Sequence, residues 1–351
     1  MIMTIHKFSH SKGLSLIELM IAMVIGLLLL TGTASMFISN KRIYKEQDEM
    51  GRIQENARFA MQMLIEDIRM AGYAGCSEDI DEITNHLNDL SANPSLQFSN
   101  AVEGVNEADS GTPANSQWQP SNSEEGVSAM VDGTDAISIR YVDPSGIRLS
   151  EAMPKVSAEL KVTTTGDLAI GDIVALSDCD AADIFQLTQV QVSSSHLQHN
   201  AGKGGGLPSP GNLTKPLSKK YGEGAEIVRF ISRRYYIGTG TNGSPSLFRM
   251  ENGGTAVELI EGVENMEILY GEDTLNNDTI PDTYVHAGSV SNWDNVVSVR
   301  VSLLFRTIDD NASNAPNTST YSMLDTTFDP TDDRRRRRVV TNTVQIRNRS
   351  N

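Results

Sequence analysis

Cations are missing where this chain is most apolar: no Lys or Arg lies between Lys12 and Lys41. Over all 351 residues, 29 Lys and Arg face 45 Asp and Glu, a formal charge of -16. That balance excludes nucleic-acid binding by the chain as a whole, because phosphate contact requires basic surface. Cysteine is almost absent, so Cys76 and Cys179 offer at most one intrachain disulfide. Of six histidines, His6 and His10 sit in the first dozen residues, which leaves His86, His196, His199 and His286 for any metal or acid–base chemistry. Helix breakers are scarce after the apolar run: residues 40–71 contain no Pro and a single Gly. No internal repeat is visible.

What is present begins with "KGLSLIELMIAMVIGLLLL", residues 12–30, apolar or small from Leu14 onward except for Glu18. A carboxylate inside a membrane helix costs roughly 2.5–3.5 kcal/mol on insertion scales, so it calls for a partner. The chain as written has no cation within helical reach. A cut between Gly13 and Leu14 would make one, an ammonium with an ordinary pKa of about 8, four residues before Glu18 and on the same helix face. Pairing of Glu18 with its own terminus, or with that of a neighbouring molecule, would then be an assembly signal.

Beyond the apolar run, Ile43, Met50, Ile53, Ala57, Ala60, Leu64, Ile68 and Ala71 recur at helical spacing. A single helix over about 14–71 is expected, roughly 85 Å long at 1.5 Å per residue, against a bilayer core of about 30 Å. Its first half can span a membrane and its second half can pack on a soluble domain. The alternative is a secretory signal peptide cut after Gly32-Thr33-Ala34, giving a chain that starts at Ser35. Lys7 and Lys12 place the N-terminus in the cytoplasm by the positive-inside rule, with everything after about residue 39 periplasmic. In that oxidising space Cys76 and Cys179 are expected to form a disulfide, the alternative being two free buried thiols.

The rest of the chain, with 39% hydrophobic residues overall, is enough for one large domain or two small ones with a real core. Residues 77–133 read as a polar surface insertion with a short helix around 80–90. From Asp135 the period becomes two. "DAISIRYV", "AELKVT", "GDIVALSD", "DIFQLTQVQV", "AEIVRFISRRYYIG", "SLFRM", "VELIEGVENMEILYG", "NVVSVRVSLLFRT" and "RRVVTNTVQIRN" are about nine strand candidates separated by Gly, Asn, Pro and Asp. One long helix followed by strands gives an α+β fold with the helix lying across an antiparallel sheet. The expected organisation is a basic leader at 1–13, a transmembrane and assembly helix at 14–39, its amphipathic continuation at 40–72 and a β-rich periplasmic domain at 73–351.

A basic leader ending in Gly13, followed by "LSLIELMIAM" with Glu18 fifth after the glycine, resembles the class III signal of type IV pilins and type II secretion pseudopilins. The resemblance implies cleavage after Gly13 by a prepilin peptidase, methylation of Leu14 and retention of the apolar segment as anchor and fibre core. Leu14 stands where Phe or Met is commoner, and Ser35 where major pilins often carry a kinking Pro. "ENARFAMQMLIEDIRMAGYAGC", "GDIVALSDCDAADIFQ", "LIEGVENMEILYG", "VVSVRVSLLFRT" and "RRVVTNTVQIRN" are similar to PilW-type minor pilins, including both cysteines; the inserts at 77–133, 193–222 and 309–332 have no counterpart. That resemblance implies a pilin-like fold and a structural subunit that primes pilus assembly and sits at the tip. The implied partners are other minor pilins, the major pilin, the inner-membrane assembly platform and a tip adhesin.

No catalytic residues, metal or cofactor are expected. "HLQH" at 196–199 lies among Ser, Gly and Pro and reads as a solvated loop, not a metal site. "GKGGG" at 202–206 lacks the strand and the ending of a phosphate loop. The acidic stretch at 272–282 gathers oxygen ligands but has no turn glycine of a calcium loop. In "DDRRRRRVV", residues 332–340, the arginines read as a strand's outward face balanced by Asp329, Asp332 and Asp333, with an acidic pilin partner or nucleic acid as the alternatives. Two function classes remain: a tip or priming minor pilin carried by Gly13, Leu14 and Glu18, and a membrane-anchored adhesin-like binding protein whose inserts recognise a ligand.

Overall fold

The computed structural model describes residues 15–75, 83–90, 96–97, 100–108, 130–178, 180–204, 206–275, 277–310, 312–313, 315–330 and 333–349. The chain divides into two units, Met1–Arg52 and Ile53–Asn351. Helix α1, Leu16–Met70, runs through the boundary.

In the first unit α1 is apolar and bare: large side chains from Leu16 to Ile38 are all exposed. Its interior polar groups are nevertheless satisfied within the helix. Thr31 Oγ1 donates to the Leu27 carbonyl at 2.5 Å, Thr33 Oγ1 to Leu29 at 3.1 Å and Ser35 Oγ to Thr31 at 2.8 Å. Hydroxyls bonded back to the preceding turn can enter hydrocarbon without leaving donors unpaired. They also explain why "TGTAS" does not interrupt the helix.

In the second unit the helix buries the stripe Ile53, Ala57, Ala60, Met61, Leu64 and Ile68, as its spacing predicts. Its end is capped across the fold. Asn348 Nδ2 donates to the Met70 and Ala71 carbonyls, both at 3.3 Å, and Gly72, at φ +74°, turns the chain away with its N–H on the Arg140 carbonyl.

Two sheets receive the helix. The larger has eight strands: Ile83–Asn85, β1 (Val102–Ala108), β2 (Thr134–Arg148), β3 (Ile173–Ser177), β4 (Ala182–Gln186), β5 (Glu226–Thr239), β6 (Pro245–Glu251) and β7 (Val257–Glu261). Its spine is β5. One side of β5 pairs with β2 from Glu226 to Tyr235; the other is shared by β3 at Glu226–Arg229 and β6 at Arg233–Thr239. Ile83–Asn85 pairs with β4 in parallel, so this sheet is not purely antiparallel as expected. The smaller sheet is antiparallel: Thr283–Val285, β8 (Val263–Glu272), β9 (Val296–Arg306) and β10 (Arg337–Gln345), in that order.

The run "VELIEGVENMEILYG", read as one strand, is two strands in two sheets. Gly262 is the joint, with φ +83° and a position where a Cβ would stand 2.8 Å from the Arg306 carbonyl oxygen. Only glycine accepts both. Between the sheets and α1 lies one core, with Ile137, Ile139 and Tyr235 from the larger sheet and Met266, Val301 and Phe305 from the smaller.

Three expectations about the inserts are corrected. The 80–90 helix is absent among the described residues, where Ile83–Asn85 is a strand. The 77–133 segment is not merely surface, because Leu87, Leu96, Ala101 and Val102 are buried and β1 pairs with β2. Residues 193–222 supply Leu197, Leu217 and Tyr221 to a second core around Phe185 and Ile227.

Candidate assembly site and helix anchor

Glu18 stands in the first turn of α1, exposed, and its carboxylate is already engaged. The Ser15 N–H donates to Glu18 Oε2 at 2.9 Å, and the Glu18 N–H donates to Ser15 Oγ at 3.2 Å. This reciprocal pair is a capping box, which satisfies two of the orphan donors of a helix start. The Ser-x-x-Glu spacing at 15–18 signals it in the sequence, independently of any pairing of Glu18 with an ammonium. Gly13 and Leu14 lie outside the described residues, as do Cys76 and Cys179.

At the other end of α1, a second carboxylate fixes the helix to the larger sheet. Asp67, 4% exposed, accepts from Tyr141 Oη at 2.9 Å, Tyr235 Oη at 2.5 Å and Arg233 Nη1 at 2.8 Å. Arg233 Nε also donates to Glu251 Oε2 at 2.8 Å. Burial, then the Asp67 charge, pushes both tyrosine hydroxyls well above their usual range, so they stay protonated donors. Three donors on one carboxylate make its burial tolerable. The partners lie 74, 168 and 166 positions away in sequence, so no local pattern discloses them.

A third polar knot joins the inserts to β4. Buried Asp183 receives the His86 Nε2, Tyr221 Oη at 2.6 Å, and the Ser218 hydroxyl at 2.7 Å and N–H at 3.0 Å. Burial alone would raise this carboxyl, but those bonds hold it below the ordinary range. His86 Nδ1 contacts Thr214 Oγ1 at 2.9 Å. The hydroxyl–imidazole–carboxylate order is that of nucleophile triads. Here the carboxylate is also filled by Ser218 and Tyr221, and the network latches residues 214–221 onto the sheet edge.

The remaining sequence candidates resolve individually. "HLQH" is not a solvated loop: His196–Gln198 is a strand, His199 is 1% exposed with its Nε2 2.9 Å from the Ala158 carbonyl, and His196 faces Glu159 at 3.3 Å. Gly202–Gly204 is a strand paired with Leu207–Asn212, and Lys203 reaches Asp89 at 2.6 Å. In the 272–282 stretch the carboxylates bond to backbone N–H groups: Asp282 to Thr274 and Leu275, Asp273 to Thr279, and Glu272 to Ser291. No group of three or more metal-ligating side chains occurs among the described residues. The arginine run divides. Arg337 is buried between Glu264 (2.5 and 3.0 Å) and Asp333 (2.7 and 2.8 Å), and Arg335 donates to the Thr307 and Ile308 carbonyls, while Arg338 is exposed. Asp333 balances as expected; Glu264, on β8, does the work assigned to Asp329, and Asp332 lies outside the described residues.

The family model for type IV pilus-assembly protein W matches residues 234–348, which hold the C-terminal end of β5, all of β6–β10 and the Arg334–Arg338 run. The prokaryotic N-terminal methylation motif matches residues 8–34, which hold Gly13, Leu14 and Glu18. No curated protein and no solved structure matches the chain. An apolar N-terminal helix under a prepilin methylation motif, continued onto a sheet domain that matches the pilus-assembly family, makes this chain similar to type IV pilins of the PilW type.

Proposed function

We propose that this chain is a minor pilin, which primes type IV pilus assembly and is carried into the fibre at its tip. In this reading prepilin peptidase cuts after Gly13 and Leu14 is methylated. Residues 14–39 hold the chain in the inner membrane, with the sheet domain in the periplasm. The observation that carries the reading is the two-part character of α1: uniformly exposed and apolar from Leu16 to Ile38, buried along one stripe from Ile53 to Ile68. Apolar surface favours a nonaqueous setting by about 25 cal/mol per Å². The bare segment therefore belongs in lipid first and among other pilin helices afterwards. The bulk of the two-sheet unit supports a terminal place, where no subunit stacks above it.

Glu18 gains a second role on processing. Its Oε2 already holds the Ser15 N–H, next to Leu14, so a new ammonium at Leu14 arises beside a carboxylate with one oxygen to spare. A neighbouring subunit's terminus can take that oxygen. Glu18→Val should be cleaved and held in the membrane at normal abundance, yet fail to co-purify with other minor pilins and be absent from sheared pili. Removing one member of a buried pair costs about 3–5 kcal/mol, which is roughly 100-fold or more in incorporation. Glu18→Asp should be partly active. Normal piliation and co-purification with Glu18→Val would overturn the proposal.

A further inference from the structure

Strand β10 ends the smaller sheet and, among the described residues, pairs only with β9. In an antiparallel ladder, alternate residues turn their N–H and C=O away from the partner strand. The Thr307 N–H donates to the Arg336 carbonyl and the Ile346 N–H to the Val297 carbonyl, which puts the backbone groups of the even-numbered residues on the inner side. Val339, Thr341 and Thr343 therefore present their backbone to the open side. Asn342 Oδ1 accepts the Thr343 N–H at 3.0 Å, a side chain doing what a neighbouring strand would do.

Beside this edge, between β10 and the second half of α1, runs a groove of about 650 Å³. Its floor is apolar, formed by Ala57, Met61, Ile65 and Val340. Ile65 and Val340 are only half-buried although they pack against the main core. Three cations rim it: Arg58 and Arg69, eleven residues apart on one face of α1, and Arg338 across from them. All three are exposed, and none has an ion-pair partner among the described residues. Glu66, bonded by Gln62 Nε2 at 3.0 Å, is the one carboxylate on the rim. A cationic groove on a chain of formal charge -16 is a local reversal of sign.

We propose that the β10 edge and its groove take up an extended segment from another pilus subunit, whose alternate, groove-facing residues are apolar in the middle and acidic at both ends, and which adds to the smaller sheet as a fifth strand. Strand addition places the incoming backbone about 4.8 Å from β10, where it meets the free N–H and C=O groups. Every second side chain then points under α1 onto the apolar floor. Carboxylates at the rim reach Arg58, Arg69 and Arg338, and Arg–carboxylate bonds are among the stronger and more directional contacts. A helix would fill the groove but has no backbone groups to offer the edge. The proposal rests on the pilin reading only for the source of the segment, and mass spectrometry of the N-terminus tests that reading separately.

The test uses the full chain in detergent micelles and a fluorescein-labelled peptide, acetyl-Ser-Glu-Thr-Val-Thr-Val-Thr-Glu-Ser-amide, whose Glu, Val, Val and Glu share one strand face, read by anisotropy. Saturable binding is expected, with Kd raised at least tenfold by Arg58→Glu with Arg69→Glu and binding abolished by Thr341→Pro, which removes an outward N–H. Because the proline variant can fail to fold, a charge swap is the second arm. The variant carrying Arg58→Glu, Arg69→Glu and Arg338→Glu should bind the same peptide with Lys in place of Glu and reject the original. The proposal is overturned if wild type does not bind, if Thr341→Pro binds as wild type does, or if an acidic helical peptide competes equally well. Self-association of the chain that the charge reversal removes, without peptide binding, would assign the groove to a second copy instead and also overturns it.

Discussion

Replacing Asp67 by Ala removes the acceptor that holds the end of α1 to the larger sheet. Two buried tyrosine hydroxyls, those of Tyr141 and Tyr235, lose their partner. A buried donor left unsatisfied costs about 1–3 kcal/mol. Arg233 retains Glu251 and its side chain is 24% exposed, so its share is small, on the order of 1 kcal/mol or less. The sum is about 3–5 kcal/mol. In a domain of this size each kcal/mol moves Tm by about 2 °C, so the full chain in micelles should melt roughly 6–10 °C lower by circular dichroism. Asp67→Asn keeps an acceptor and should lose about 1–2 kcal/mol. A double-mutant cycle adds a sharper check: Tyr235→Phe should cost at least about 1 kcal/mol less in the Asp67→Ala background than in wild type. An Ala variant melting within about 1 °C of wild type, or strict additivity with Tyr235→Phe, would refute the reasoning.

Two further outcomes follow from the joints of the fold. Gly262→Ala should destabilise by about 1–3 kcal/mol, because φ is +83° and the opposing Arg306 carbonyl cannot retreat while the Arg306 N–H donates to Gly262 at 2.8 Å. Gly222→Ala, where no atom lies within 4 Å of the added carbon, should be close to neutral in the same melt. We also propose that Cys76 and Cys179 are bridged. The parallel pairing of Ile83 with Ala182 supports this by bringing the two flanking segments together. A bridge closing about 100 residues is worth up to roughly 4.7 kcal/mol, so Cys76→Ser should lower periplasmic abundance without affecting leader cleavage. Labelling of both positions as free thiols in unreduced protein would remove the bridge.

The parts of the fold legible in the sequence are those whose signal is local. The α1 stripe and the nine strand-bearing runs follow from side-chain periodicity, because burial on one face leaves a repeat in the chain itself, but "DIFQLTQVQV" and "VELIEGVENMEILYG" each hold two strands in different sheets. β1 was invisible because "VEGVNEA" is polar and glycine-bearing; it is a strand only because β2 supplies its ladder and Tyr270 packs over Gly104. Gly262 is a readable glycine, but that it passes the chain from one sheet to the other depends on Arg306, 44 positions later. Asp67 is a charged position within "LIEDIRM", and it is buried because its donors come from β2 and β5. The motif at Glu18 was legible in two registers at once, as a prepilin signal and as a capping box, and the second needs nothing beyond Ser15 three residues before it.

In the proposed function the apolar segment of α1 is retained and begins at a processed Leu14. Intact-mass and N-terminal peptide mass spectrometry of the protein purified from its membrane tests this most directly. A chain starting at methylated Leu14 and keeping Glu18 is the expected result. A chain starting at Ser35, with the apolar run removed, would contradict it.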